Sequence, residues 1–197
     1  MGKRLLGHLA VGLLLALVVL VLASWLLSAT QGEGVRSLLS PEGIRFFFGG
    51  FTDMLLNPLL TWLLLLSMAW GCLRHSGLLQ FFSKPLAPRR RRQALILLSV
   101  ILFVIVCVML LLTVTPQAML LSATGQLWPS PFSHALVPVV AFGIILLSST
   151  YGLFSRHYLS VADVCHSLVQ GIAGAAPLLL LYVLAIQLFG ALRFVFG

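Results

Sequence analysis

Residues 94–115 read ALILLSVILFVIVCVMLLLTVT, and Arg89-Arg90-Arg91-Arg92 stand just before them. The stretch carries no charge and matches the roughly 20 apolar residues that a helix needs to cross a bilayer. Its apolar residues run on without the polar alternation of a barrel strand, so it reads as a transmembrane helix. Four other runs have the same character, at about 5–27, 55–73, 135–154 and 172–192. Together they predict an all-α integral membrane protein with five spans in one membrane domain, 1–197.

The composition leaves little else. Of 197 residues, 60% are hydrophobic and 8% charged, and mean hydropathy is +1.12. A soluble domain carries about 25% charged residues. There are too few charges here to coat a water-facing surface. A soluble enzyme, a disordered chain and a secreted disulfide scaffold are thereby excluded. The net charge of +8 does not point to nucleic acid, because the basic residues sit between apolar runs, where they set topology. Cys72, Cys107 and Cys165 fall in or beside those runs with no CxxC spacing. They read as small buried hydrophobes rather than disulfides or metal ligands.

The basic residues give an orientation. Lys3 and Arg4 precede the first span, Arg74, Lys84 and Arg89 to Arg92 lie in the loop 74–93, and Arg156 lies in the connection 155–171. That places nine of the twelve Lys and Arg on one side, with Arg36, Arg45 and Arg193 on the other. The positive-inside rule then predicts a cytoplasmic N-terminus and an outside C-terminus. The first run, Leu5 to Leu27, is weakly interrupted by His8 and too long for a signal-peptide core, so it is read as retained.

The outer loop 28–54 carries a helix start at Ser40-Pro41-Glu42, with Ser as N-cap and Pro at the first helical position. Ile44-Arg45-Phe46-Phe47-Phe48 follows, which predicts a short interfacial helix ended by Gly49-Gly50. Ser160-Val161-Ala162-Asp163 has the spacing of a capping box and predicts a short helix leading into the fifth span.

Arg89, Arg90, Arg91 and Arg92 read as a topology anchor that meets anionic headgroups of the bilayer. His157, Asp163 and His166 share one connection and read as solvated or interfacial side chains, since no further metal ligand stands at a fixed spacing. Gly171, Gly174, Ala175 and Ala176 before Pro177 form a small-residue patch. A tight, kinked helix crossing is the favoured reading, and a broken helix lining a substrate site is the other. Gln187 is the most polar residue well inside a span. Gln187, Pro177 and Gly174 are the candidate substrate-binding residues. No Asp or Glu falls within an apolar run, which weakens the case for an autonomous ion-driven pump. H-E-x-x-H, G-x-S-x-G and phosphate-binding glycine loops are missing, so the chain is not read as an enzyme and no cofactor or metal is expected.

Several segments, in order, resemble the AbgT family, the p-aminobenzoyl-glutamate transporters. Gly34-Val35-Arg36-Ser37-Leu38-Leu39-Ser40-Pro41-Glu42-Gly43-Ile44-Arg45 is similar to the "SLLs-x-eGlr" pattern after that family's first span. Asn57-Pro58-Leu59-Leu60 through Gly71 and Ser76-Gly77-Leu78-Leu79 resembles its second span and the "G-v-a-E-k-S-G-L" ending. Ala123-Thr124-Gly125 and Ser130-Pro131-Phe132 resemble a later loop. Tyr151-Gly152 with Val161-Ala162-Asp163-Val164 resembles the "YG" span end and the "D-v" helix after it.

The resemblance implies solute transport of the p-aminobenzoyl-glutamate type in the inner membrane, as a homo-oligomer or with a partner subunit. It also implies a shortened form. The family is more than twice as long, its first re-entrant hairpin would fall near Pro88–Arg89, and its second after Gly197. Arg74 and His75 stand where the family has Glu and Lys, and no substrate residue carries over. The alternative is a non-transporting assembly or regulatory subunit on the same framework.

Overall fold

The computed structural model describes residues 2–31, 35–81, 88–114 and 131–197. Among the described residues the regular structure is helical throughout, with no strand. The helices are α1 (Gly2–Gln31), α2 (Pro41–Ile44), α3 (Phe51–Leu55), α4 (Pro58–His75), α5 (Leu78–Phe81), α6 (Pro88–Val114), α7 (Pro131–Phe154) and α8 (Val161–Phe196). A π-helical turn, Arg45–Gly49, joins α2 to α3.

Among the described residues four segments are long and apolar enough to cross a membrane: Arg4–Thr30, Arg92–Leu111, Ala135–Phe154 and Val161–Phe196. The run expected at 55–73 does form a helix, but α4 is not among those four. It has 18 residues and ends on Arg74 and His75. At 1.5 Å per residue it is about 27 Å long, close to the lower limit for a crossing. Its start also differs from the expected one. Asn57 precedes Pro58, and its Oδ1 accepts from the Leu59 amide at 3.4 Å. Asn-Pro therefore begins this helix instead of lying inside it.

Ser40 caps α2 as its sequence predicts, accepting from the Gly43 amide at 3.0 Å with Pro41 next in line. The expected stop at Gly49-Gly50 is only a bend. Helical hydrogen bonds resume at once, with the Met54 amide on the Gly50 carbonyl at 3.1 Å. The connection and the fifth span, expected as two helices, form the single 36-residue α8, which passes Pro177 without a break. At about 54 Å it is far longer than a hydrocarbon core of about 30 Å. The cysteine reading holds only for Cys72; Cys107 and Cys165 are exposed. Cys107 lies on an outward face of α6, where a thiol is apolar enough to need no cover.

The chain packs as two units. The first comprises Met1–Thr61 and Ala175–Gly197. Its core is Leu38, Ala191 and Val195, with Leu20 and Val21 of α1 packed against them. The second is Trp62–Gly174. There Ala94 and Tyr151 are buried together, flanked by Leu78 and Leu98.

Candidate functional site

In the first unit the segment 35–40 is held at two points. The Arg36 amide donates to the Val195 carbonyl at 3.2 Å, satisfying one of the last carbonyls of α8. The Leu38 amide donates to Ser24 Oγ at 3.1 Å, and Ser24 Oγ donates in turn to the Val21 carbonyl at 2.8 Å. Ser24 is completely buried. Phe46 of the π turn stacks on Phe194 with centroids 4.5 Å apart and planes 21° apart. The segment 35–46 is thus built into the end of α8.

Gln187 lies in this unit, 6% exposed, and neither its Nε2 nor its Oε1 has a hydrogen-bond partner among the described residues. The Tyr182 hydroxyl of the same helix is likewise buried and unpaired. Gln187 stands one turn before Ala191, on the α8 stripe that continues into the core. Pro177 is half-buried in α8, ten residues earlier and about 15 Å along the axis. A β-carbon added to Gly174 would meet nothing within 4 Å. The three candidate residues therefore do not form one site.

The second unit holds a polar cluster that the sequence reading missed. Cys72 is fully buried, and its Sγ lies 3.3 Å from Ser149 Oγ. The Tyr158 hydroxyl donates to the Cys72 carbonyl at 3.1 Å. Burial pushes the Tyr158 phenol up to about 12, because the phenolate would lose its water. The Tyr158 ring fills the space over Gly152, where a β-carbon would collide with it. Beside this cluster Gly77 has φ +74°, and a β-carbon there would come 2.6 Å from His157 Nε2. His157 Nδ1 lies 2.9 Å from Ser155 Oγ. The Ser76-Gly77-Leu78 and Tyr151-Gly152 motifs thus belong to one packed joint.

Small residues make the third feature. Gly71 and Gly171 meet at backbone distance between α4 and α8, each four residues after a serine, Ser67 and Ser167. Both serines turn their hydroxyls back to their own helix, to the Leu64 and Val164 carbonyls, each at 2.7 Å. The seam is close, in agreement with the helix-crossing reading at Gly171.

Asp163 accepts from the Leu159 amide at 2.8 Å and the Ser160 amide at 3.0 Å, the acid half of the expected capping box. Of the basic block, the backbone of Arg89 to Arg92 forms the first turn of α6, and Arg92 is exposed. The loop motifs at 123–125 and 130 lie outside the described residues. Comparison of the chain with family models, with curated proteins and with solved structures finds no match.

Proposed function

We propose that the chain is a multi-pass inner-membrane transport protein of the AbgT type, acting on p-aminobenzoyl-glutamate or a related aryl solute as an oligomer or with a partner chain. In this reading α4 is a fifth crossing, the N-terminus is cytoplasmic and the C-terminus outside. The observation that supports it most is Gln187, a buried amide in the C-terminal third of α8 with neither polar atom paired among the described residues. An unmade buried hydrogen bond costs about 1–3 kcal/mol, so such a group is kept where something else engages it. A polar solute passing at that depth would. The chain in liposomes should take up labelled p-aminobenzoyl-glutamate above empty vesicles, and Gln187→Leu should abolish the difference. Absence of flux with and without an ion gradient would rule out transport by this chain alone.

The second reading is a non-transporting assembly subunit. Two features favour it: α8 is unbroken at Pro177, and the Gly71–Gly171 seam is packed at backbone distance. It requires a membrane partner that co-purifies in mild detergent, and a single-chain preparation would count against it.

A further inference from the structure

The end of α8 and the α2–α3 region enclose a groove of about 380 Å³ in the first unit. Its wall is aromatic and aliphatic, formed by Phe46, Phe189, Phe194 and Met54, and Arg36 and Arg193 complete the lining. Gly190 lets Met54 lie flat in the wall: a β-carbon there would come 2.5 Å from Met54 Sδ. Both arginines are exposed, and among the described residues neither forms an ion pair. No acidic side chain lines the groove. Two unneutralised cations beside an apolar trough call for a ligand with one anionic head and a long apolar body. A small hydrated anion would gain nothing from the phenylalanines, and a neutral chain nothing from the arginines.

The position narrows the ligand further. Arg193 is in the last turn of α8, just past the apolar stretch 172–192, at the level where a spanning helix leaves the hydrocarbon. Arg36 is tied to the same turn by its amide on the Val195 carbonyl. Guanidinium groups bind phosphate oxygens in a fork, and two of them can share one phosphodiester. We infer that this groove seats a single anionic phospholipid, its phosphodiester between Arg36 and Arg193 and one acyl chain along Phe46, Phe189 and Met54. The inference rests on the membrane reading and not on transport.

Native mass spectrometry of the full chain in detergent tests it, with phosphatidylglycerol, phosphatidylcholine of the same acyl chains, and inorganic phosphate as probes. One phosphatidylglycerol per chain should survive activation, with at least tenfold preference over phosphatidylcholine. The double variant Arg36→Gln/Arg193→Gln should lose that preference, while replacing Arg89 to Arg92 by Gln should leave it. A photo-crosslinking phenylalanine analogue at position 189, with both arginines intact, should capture phosphatidylglycerol in mixed vesicles. Equal retention of the two lipids, an unchanged double variant, full protection by inorganic phosphate alone, or crosslinking without headgroup preference would each overturn the assignment. A chain stripped from membranes by alkaline carbonate would instead refute the membrane reading beneath it.

Discussion

A β-carbon on Gly71 would stand 2.5 Å from the Cα of Gly171, closer than two such atoms can come. The reverse substitution is as crowded, because a β-carbon on Gly171 would run into the Ser67 carbonyl oxygen. The obstacle in both cases is backbone, which cannot swing aside as a side chain does. Gly71→Ala and Gly171→Ala should each lower stability by about 1–3 kcal/mol, the usual cost of overpacking. Gly174→Ala, facing open space in the same helix, should be neutral or stabilising by up to about 1 kcal/mol. Thermal unfolding of the three variants in one detergent separates them, and equal behaviour would contradict the seam.

Tyr158 gives a pH signature. Its phenol is neutral and bonded to the Cys72 carbonyl, with its folded pKa raised to about 12 from an unfolded value of about 10. The stabilisation is therefore complete below about pH 10 and is lost as pH rises through the folded value. Tyr158→Phe should cost about 1 kcal/mol at pH 8, where the Cys72 carbonyl still accepts from the Ser76 amide. Its unfolding temperature should then fall less steeply than the wild type's between pH 10 and pH 12. Parallel curves would remove Tyr158 as the source of that slope.

Arg156 has φ +60°, a left-handed conformation that costs a residue with a β-carbon about 1 kcal/mol. Arg156→Gly should raise stability by about that amount, while Arg156→Ala, which loses the charge but keeps the β-carbon, should not. A melting shift shared by both variants would assign the effect to charge.

Ser24→Ala should be costly for so small a change. It leaves the buried Leu38 amide without its acceptor, worth about 1–3 kcal/mol. Protease sensitivity of the segment 35–46 should rise in the variant. An unchanged digestion pattern would argue that water replaces the hydroxyl.

The thiols report topology. Cys72 is buried and Cys165 exposed near the start of α8. With Cys107 replaced by Ser, a membrane-impermeant maleimide should label Cys165 in inside-out vesicles only, and Cys72 in neither orientation until the protein is unfolded. Labelling of Cys165 in right-side-out vesicles would invert the orientation proposed from the basic residues.

Apolar runs 94–115 and 135–154 needed only length and hydropathy to be read as helices, because nothing tertiary competes with a run of that kind. Boundaries were harder. Asn57-Pro58 sits in an apolar stretch, yet a proline with an asparagine before it starts a helix, and that local rule outweighs hydropathy. The sequence of α8 reads as two helices because Ser160 and Asp163 mark a true helix start, and nothing in the residues after it says where an apolar span begins. The polar joint was the least legible. Cys72, Ser149 and Tyr158 lie on three separate segments, and only the fold brings them together. Ser24 shares the end of its apolar helix with Ser28 and Thr30, so nothing local marks it as the hydroxyl that accepts from the returning chain.

The clasp formed by Ser24, Leu38 and Val195 has a consequence for how the protein is made. The segment that packs α1 is complete only when the end of α8 is present, so the earliest and latest synthesised helices of the described chain depend on each other. During synthesis Leu38 has no Ala191 or Val195 to meet, and α1 must wait for its partner until the intervening helices have been made. Closure of the first unit is then a late, long-range event, and a ribosome stalled before residue 190 would leave behind an unlatched chain, ready for a quality-control protease.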